Sequence, residues 1–173
     1  MPAEKIISTV MFADISGSSP LYKKLGDSKA NELVQQLLSM MTDVTTKHHG
    51  KVIKTIGDEV MTCFDRTDSA ADAAREMQET CRNFRSDMTL KLRIGIDRGG
   101  IIRQQKDLFG ETVNNAAYLT GIAKGGKILL SKNAFNSLSL KSQKLCYEYD
   151  NIIGRTLKTD LLRNTQLKWS DLD

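Results

Sequence analysis

Apolar and polar residues form blocks along the chain that predict alternating strands and helices. Residues 5–14 (KIISTVMFAD) are apolar and rich in β-branched side chains, which is typical of a buried strand. Residues 28–49 predict an amphipathic helix, ended by Gly50. Its apolar residues recur on one helical face: Leu33, Leu37, Met40, Met41 and Val44.

A hairpin, a second helix and a fourth strand follow. Residues 51–56 and 60–64 are strand-like and flank the turn residues 57–59. Residues 68–85 predict a second amphipathic helix, with these residues facing inwards: Ala70, Ala74, Met77, Cys81 and Phe84. Residues 90–96 predict another strand. The order β-α-β-β-α-β is that of the ferredoxin-like, or split βαβ, fold.

The rest of the chain predicts an extension of this core. Its expected elements are a short strand near Ile101, a helix over 111–123, a strand over 127–130, a short helix after Ser131, and weak strands near Leu145 and Leu157. The predicted fold class is therefore α+β. We expect an antiparallel ferredoxin-like sheet with helices on one face, extended at the C-terminus by extra helices and strands.

Composition predicts one domain over residues 1–173 in a reducing cytosol. The chain has 173 residues, 40% of them hydrophobic and 27% charged, as in an ordinary globular protein. Its three cysteines are far apart, which argues against a disulfide framework. No apolar run reaches the ~20 residues that cross a bilayer, and no signal peptide is evident. The net charge of +4 is dispersed, so we expect neither a membrane nor a nucleic acid as partner.

Two carboxylates are predicted to meet at one edge of the sheet. Asp14 ends the first strand, and Asp58 lies in the turn that ends the second. In the ferredoxin-like topology these two strands run parallel, so both ends lie at the same edge. Close carboxylates repel each other, and a divalent cation such as Mg²⁺ relieves that repulsion. Either aspartate alone would more simply be a turn cap; the pair favours a metal site.

A short Gly/Ser loop adjoins the predicted metal site. Ser16, Gly17 and Ser18 lie between the first strand and a helix whose start is predicted at Ser19-Pro20. The free N–H groups of a helix N-terminus attract phosphate, and glycine allows close approach to the backbone. The residues themselves therefore predict a metal–triphosphate site.

Four segments of the sequence resemble the class III adenylate/guanylate cyclase catalytic domain. They are residues 12–18 (FADISGS), 54–61 (KTIGDEVM), 93–97 (RIGID) and 107–117 (DLFGETVNNAA). Their order and spacing agree with the family, and the resemblance covers about residues 5–160.

The resemblance implies roles for individual residues. Asp14 and Asp58 match the aspartates that hold two Mg²⁺ or Mn²⁺ ions per active site. Lys54 and Asp107 match the pair that reads the purine and are of the adenylate type. Asn114 matches the asparagine that orients the ribose. Without the resemblance, Lys54 would be read as a surface lysine paired with Glu59, and Asp107 as a loop residue.

Three positions depart from the family pattern. Lys158 matches a phosphate-binding lysine, but Thr159 replaces the glycine that follows it. Asp97 stands where the family usually has histidine or a neighbouring small polar residue, and the resemblance assigns it no role. Tyr118 stands four residues after Asn114, where the family has an arginine that stabilises charge on the reacting phosphate. A phenol carries no charge at neutral pH, and losing one such donor lowers turnover by ~10²–10³. Tyr118 is equally compatible with a packed core or interface aromatic.

The resemblance implies conversion of ATP to 3′,5′-cyclic AMP and pyrophosphate, at low turnover because of Tyr118. It also implies a homodimer with composite active sites, since family members take metal aspartates and purine residues from different subunits. Two alternatives stay open: a nucleotide-binding pseudo-cyclase with a regulatory role, and a cyclase for another nucleoside triphosphate. A lysine donor and an aspartate acceptor can satisfy adenine or guanine, and the resemblance alone favours adenine.

Overall fold

The structure is a computed structural model that describes residues 2–84 and 89–148. Its elements are, in chain order, β1 (Glu4–Ser16), α1 (Ser18–Leu25), α2 (Asp27–Lys47), β2 (Lys51–Ile56), β3 (Glu59–Phe64), α3 (Thr67–Arg82), β4 (Lys91–Gln104), β5 (Asp107–Phe109), α4 (Glu111–Ile122), β6 (Ile128–Leu130), α5 (Lys132–Asn136) and α6 (Leu140–Glu148).

The strands form a single sheet with β1 near its centre. The strand order is β2-β3-β1-β4-β5, and β6 pairs in parallel with β4. β1 is antiparallel to both β3 and β4, and β2 is antiparallel to β3. β1 and β2 therefore run in the same direction, as the sequence predicts.

Alternation along β1 creates two hydrophobic cores. Met11, Ala13 and Ile15 belong to the core formed with α2 and α3, and Val10 and Phe12 belong to the core beneath α4. This is the period-two pattern of a strand buried on both faces. The α+β ferredoxin-like prediction is confirmed, with α2 and α3 on one face, while α4 of the C-terminal extension covers the other.

Close backbone contact positions α4 against β4. A Cβ atom at Gly95 would lie 2.5 Å from the Ala116 carbonyl oxygen, and one at Gly99 would lie 2.6 Å from Thr112 Oγ1. Only glycine permits this approach. The same glycines lie inside one continuous 14-residue strand, so the separate strands expected over 90–96 and near Ile101 are a single β4.

The weak strand predicted near Leu145 is wrong, because this residue lies in α6. Ser139 Oγ accepts a hydrogen bond from the Ser142 amide at 3.2 Å, which is the geometry of a helix N-cap. The strand predicted near Leu157 lies outside the described residues.

The cysteines Cys63, Cys81 and Cys146 are buried free thiols, as the sequence predicts. In the described ranges, no helix combines the length and apolar character that a transmembrane span requires.

Candidate active site

Asp14 is held by an arginine on the neighbouring strand. Its cross-strand partners are Glu59 on β3 and Arg93 on β4. Arg93 Nε donates to Asp14 Oδ1 at 2.8 Å, and Arg93 Nη2 donates to Asp14 Oδ2 at 2.6 Å. The Asp14 side chain is only 11% exposed, so this two-point charged contact is largely shielded from water. The hydrogen bond to Asp14 raises the pKa of Arg93, which keeps the guanidinium charged.

Asp58 and Glu59 add negative charge to the same sheet edge. Both follow Gly57, whose φ of 61° makes the tight turn between β2 and β3. Burial first, and then the charges of Asp14 and Asp58, raise the pKa of Glu59 to about 7 against the opposing effect of Arg93. Asp14 lies opposite Glu59, and Asp58 directly precedes Glu59, so the two aspartates are at the same edge of the sheet.

The carboxylates at this edge suit a divalent cation that arrives with additional oxygen ligands. Among the described residues, no group of three or more His, Cys, Asp or Glu side chains is arranged to hold a metal by itself. Mg²⁺ commonly takes one or two carboxylates and completes its coordination with water and substrate phosphate. Asp14 and Asp58 fit that donor set, although Arg93 contacts both oxygens of Asp14.

The predicted Gly/Ser loop is reduced to Gly17, because Ser16 ends β1 and Ser18 begins α1. Gly17 has a φ of 76°, a left-handed conformation that glycine adopts readily, and α1 begins at Ser18. The helix therefore starts earlier than the Ser19-Pro20 signal predicts, and Pro20 lies within its first turn. Ser16 and Ser18 are partly exposed, and Gly17 is exposed. The amides of this first turn have no side-chain cap from the N-cap residue.

Lys54 and Asp107 form an ion pair between distant strands. Lys54 Nζ lies 2.7 Å from Asp107 Oδ2, although β2 and β5 are at opposite ends of the strand order. The hydrogen bond from Lys54, followed by one from the Leu108 amide, lowers the pKa of Asp107. An irregularity in the β2–β3 register falls between Val52 and Lys54. Lys54 therefore pairs with Asp107 rather than with Glu59, the partner expected for a surface lysine.

Helix α4 carries the predicted ribose and phosphate residues at its surface. Asn114 is exposed, and Tyr118 is 37% exposed. Tyr118 lines a cleft of about 500 Å³ between α4, β4 and the start of α5. Asn115, rather than Asn114, lines this cleft together with Tyr118.

Asp97 is buried at the base of the same cleft. It is 2% exposed and accepts hydrogen bonds from Ser131 Oγ and from Asn115 Nδ2, the latter at 3.1 Å. Burial raises the pKa of Asp97, and the two hydrogen bonds oppose that shift. The residue joins β4 to α4 and to the start of α5, a structural connection that the sequence did not reveal.

Arg93 is the main site residue that sequence reasoning missed. It was part of the RIGID segment, but its contact with Asp14 depends on the register between β1 and β4. The periodicity of apolar residues predicts strands and their buried faces, but it does not predict which residues of β1 and β4 lie opposite each other. Lys158 lies outside the described residues.

Comparison with known proteins identifies the class of this domain. Residues 3–159 match the family described as the adenylate and guanylate cyclase catalytic domain. An adenylate cyclase of Streptomyces coelicolor is 34% identical over 122 residues, which cover 70% of this chain and 31% of that protein. The chain belongs to the adenylate and guanylate cyclase catalytic domain family.

Solved structures agree with this fold. The monomeric guanylyl cyclase domain of the RhoGC fusion protein from the aquatic fungus Blastocladiella emersonii superposes with a TM-score of 0.75 at 21% identity, covering 82% of this chain and 90% of that one. Adenylate cyclases from Trypanosoma brucei in their monomeric state give a TM-score of 0.73 at 21% identity, covering 80% and 79%. The chain spans about a third of the length of the curated relatives that it matches first.

Proposed function

We propose that this domain converts ATP to 3′,5′-cyclic AMP and pyrophosphate. The observation that carries the proposal is the position of Asp14 opposite Glu59, the residue that follows Asp58, close to the start of α1. Carboxylates and free helical amides at one place suit a metal-bound triphosphate. The kinship to named adenylate cyclases supports ATP as the substrate.

Asp14 and Asp58 would hold Mg²⁺ or Mn²⁺, two ions per active site. When bound, such ions lower the pKa of the ribose 3′-hydroxyl and neutralise charge on the triphosphate. The backbone amides that follow Ser16, Gly17 and Ser18 in the chain would bind phosphate oxygens. The same role is proposed for Lys158, from the family resemblance alone.

Lys54 and Asp107 would read the adenine base. Lys54 Nζ donates a hydrogen bond to Asp107 Oδ2 at 2.7 Å. A purine that takes the lysine donor and the aspartate acceptor must replace that mutual contact. Both side chains are partly exposed, at 43% and 32%, so the exchange needs no opening of the core. Asn114, which is exposed on α4, would orient the ribose.

The active sites would be shared between two copies of the chain. Lys54 and Asp58 are near in sequence but would serve different sites, as the family resemblance implies. Two chains related by a two-fold axis then form two composite sites. We therefore propose a homodimer as the active form.

Tyr118 favours a second candidate function, which is nucleotide binding with little or no turnover. Without the family's arginine, the charge that develops on the reacting phosphate has one fewer preorganised donor. The retained Asp14 and Asp58 pair, together with Lys54 and Asp107, favours slow catalysis over its complete loss.

One assay separates these candidates. The purified chain is incubated with Mn²⁺ and each of the four ribonucleoside triphosphates, and the products are separated by mass. We expect cyclic AMP from ATP, formed slowly. ATP binding without any cyclic product would select the pseudo-cyclase, and a cyclic product from another triphosphate alone would replace ATP as the substrate.

A further inference from the structure

We propose that Asp97 is a positioning residue for the reaction, because its hydrogen bond with Asn115 fixes the rotation of α4 and so the place of Asn114 and Tyr118. Neither Asp97 nor Asn115 is proposed to touch the nucleotide. The inference rests on the proposed function, because it takes α4 as the helix that presents residues to the ribose and the reacting phosphate.

Asp97 is a buried junction between three elements. It lies on β4 and is 2% exposed. Three donors converge on its carboxylate: Asn115 Nδ2 on α4 at 3.1 Å, Ser131 Oγ at the start of α5, and the backbone amide of Arg98. A buried carboxylate is costly unless such donors compensate it, so the side chain stays where they hold it. Helix α4 and the start of α5 are thereby tied to one point of β4.

The contact with Asn115 restrains α4 in a direction that its sheet-facing contacts do not. Thr112 Oγ1 and Thr120 Oγ1 donate to backbone carbonyls of β4 and β1, at 3.0 and 3.2 Å. These contacts face the sheet and oppose sliding of the helix. Successive residues of a helix turn by about 100°, so Asn115 projects sideways, into the cleft between α4 and α5. A lateral bond to the buried Asp97 therefore opposes rotation of α4 about its own axis.

A small rotation of α4 would displace the residues proposed to meet the nucleotide. Asn114 directly precedes Asn115, and Tyr118 follows it by three residues. At the ~5–6 Å outer radius of a helix, a rotation of about 10° moves an atom by about 1 Å. A misplacement of about 1 Å can lower turnover by ~10². The bond between Asp97 and Asn115 should therefore affect catalysis from outside the site.

A purely structural role for Asp97 is the simpler alternative, and Ser131 separates the two. Ser131 Oγ donates to the same carboxylate and accepts from the Ala134 amide at 3.0 Å, which caps α5. Removing this hydroxyl weakens the same junction but leaves its link to α4 in place. If Asp97 contributed only stability, the loss of either donor should have the same consequence for turnover.

The test compares variants of the full chain by kcat and KM for ATP with Mn²⁺, and by the urea midpoint of unfolding. Asn115→Ala removes the donor on α4, and the matched control Ser131→Ala removes the donor beside α5. Asn115→Asp places two carboxylates against each other. The double variant Asp97→Asn/Asn115→Asp exchanges amide and carboxylate, so the hydrogen bond forms again with its donor on β4.

Turnover should follow the link to α4, and stability should follow both links. Asn115→Ala and Asn115→Asp should lower kcat about ten- to hundredfold and keep KM within about threefold, because contacts to metal, base and triphosphate stay in place. Ser131→Ala should lower the urea midpoint, because α5 loses its N-cap, and keep kcat within about twofold of the parent. The double variant should recover kcat to within about threefold of the parent.

Three outcomes would overturn the role of Asp97 and leave the proposed function standing. They are a parental kcat in Asn115→Ala, an equal loss of kcat in Ser131→Ala, and a double variant that stays as slow as Asn115→Asp. If Asn115→Ala does not fold because the buried carboxylate loses its donor, Asp97→Ala/Asn115→Ala replaces it. The same loss of kcat is expected there, and its absence counts equally against the proposal.

A parent that binds ATP without forming cyclic AMP would overturn the proposed cyclase activity alone. Calorimetric dissociation constants for the Mn²⁺–ATP complex then decide the role of Asp97. Asn115→Ala and Asn114→Ala should each weaken binding, and their double variant should bind no more weakly than the weaker single variant, because both changes act on one contact. Additive effects would overturn the positioning role, and a parent that does not bind ATP would overturn both proposals.

Discussion

Lys54 on β2 and Asp107 on β5 form a 2.7 Å ion pair although their strands are at opposite ends of the sheet order. The contact shows that the two ends of the sheet approach each other on the side of the core beneath α4, which includes Met61 and Leu108. Two residues far apart in sequence thereby form the pair that we propose reads the adenine base.

This pair should set nucleotide preference. We expect the parent to prefer ATP over GTP, and the double variant Lys54→Glu/Asp107→Cys to weaken that preference, because it removes the adenine-type donor and acceptor together. The measurement is kcat/KM for both nucleotides with Mn²⁺. Lys51→Glu, an exposed change on the same strand, serves as the control for charge. A parent that prefers GTP, CTP or UTP would contradict the assignment.

The two aspartates proposed as metal ligands should differ in their effect on stability. Asp14→Asn and Asp58→Asn are both expected to abolish metal-dependent triphosphate binding. Asp14→Asn should also lower the free energy of unfolding, by about 1–3 kcal/mol, because Arg93 loses its charged partner. Calorimetric MnATP binding and denaturant unfolding give the two quantities.

The exposed helical change Asp43→Asn is the control for the metal variants. If Asp14→Asn and Asp58→Asn bind MnATP as tightly as the parent, the site assignment is wrong.

Composite sites predict complementation between inactive chains. Asp58→Asn and Lys54→Ala homodimers should each lack activity, and a mixture should regain one complete site per heterodimer. Activity is measured against mixing ratio, and differently tagged chains show that heterodimers form. Heterodimers as inactive as either parent homodimer would exclude shared sites.

A surface cluster between α2 and α3 predicts a pH-dependent stability. Lys47 Nζ and His48 Nε2 contact Glu76 at 2.7 and 2.6 Å, and these hydrogen bonds, that from Lys47 first, lower the pKa of Glu76. A lowered carboxylate pKa stabilises the fold above its unfolded-state pKa and loses that contribution as the pH falls through the folded value.

Glu76→Gln should therefore lower stability at pH 7 by no more than about 1 kcal/mol, because the cluster is partly solvated. The difference from the parent should shrink as the pH falls below the ordinary range of glutamate. Urea unfolding at several pH values measures it, and a difference that grows towards acid pH would refute the assignment.

The sequence predicts most of the fold but only part of the site. Periodicity located the strand at residues 5–14 and the helix at 28–49, because one-sided and two-sided burial leave a direct pattern in the residues. The register that places Arg93 against Asp14 and the irregularity beside Lys54 leave no such pattern. Both depend on pairing between distant segments, which single-sequence periodicity does not encode.

The substitution Tyr118→Arg tests whether the domain is a slow cyclase or a pseudo-cyclase. The side chain is 37% exposed, so the change should leave the free energy of unfolding within about 0.5 kcal/mol of the parent. The introduced guanidinium should raise kcat more than it changes the KM for ATP, because it strengthens contacts mainly in the transition state. A gain approaching ~2 kcal/mol in transition-state stabilisation is expected if it reaches the phosphate.

Tyr118→Phe is the matched control, since it keeps the ring and removes only the hydroxyl. If Tyr118 acts by packing between subunits, Tyr118→Arg should weaken dimerisation without raising kcat, and Tyr118→Phe should leave both unchanged. If its hydroxyl contributes to turnover as a neutral donor, Tyr118→Phe should lower kcat while dimerisation stays constant. We therefore measure kcat, thermal stability and the dimer dissociation constant for both variants. A role at the reacting phosphate changes kcat while the dimer dissociation constant stays the same. A role in the subunit interface changes the dimer dissociation constant itself.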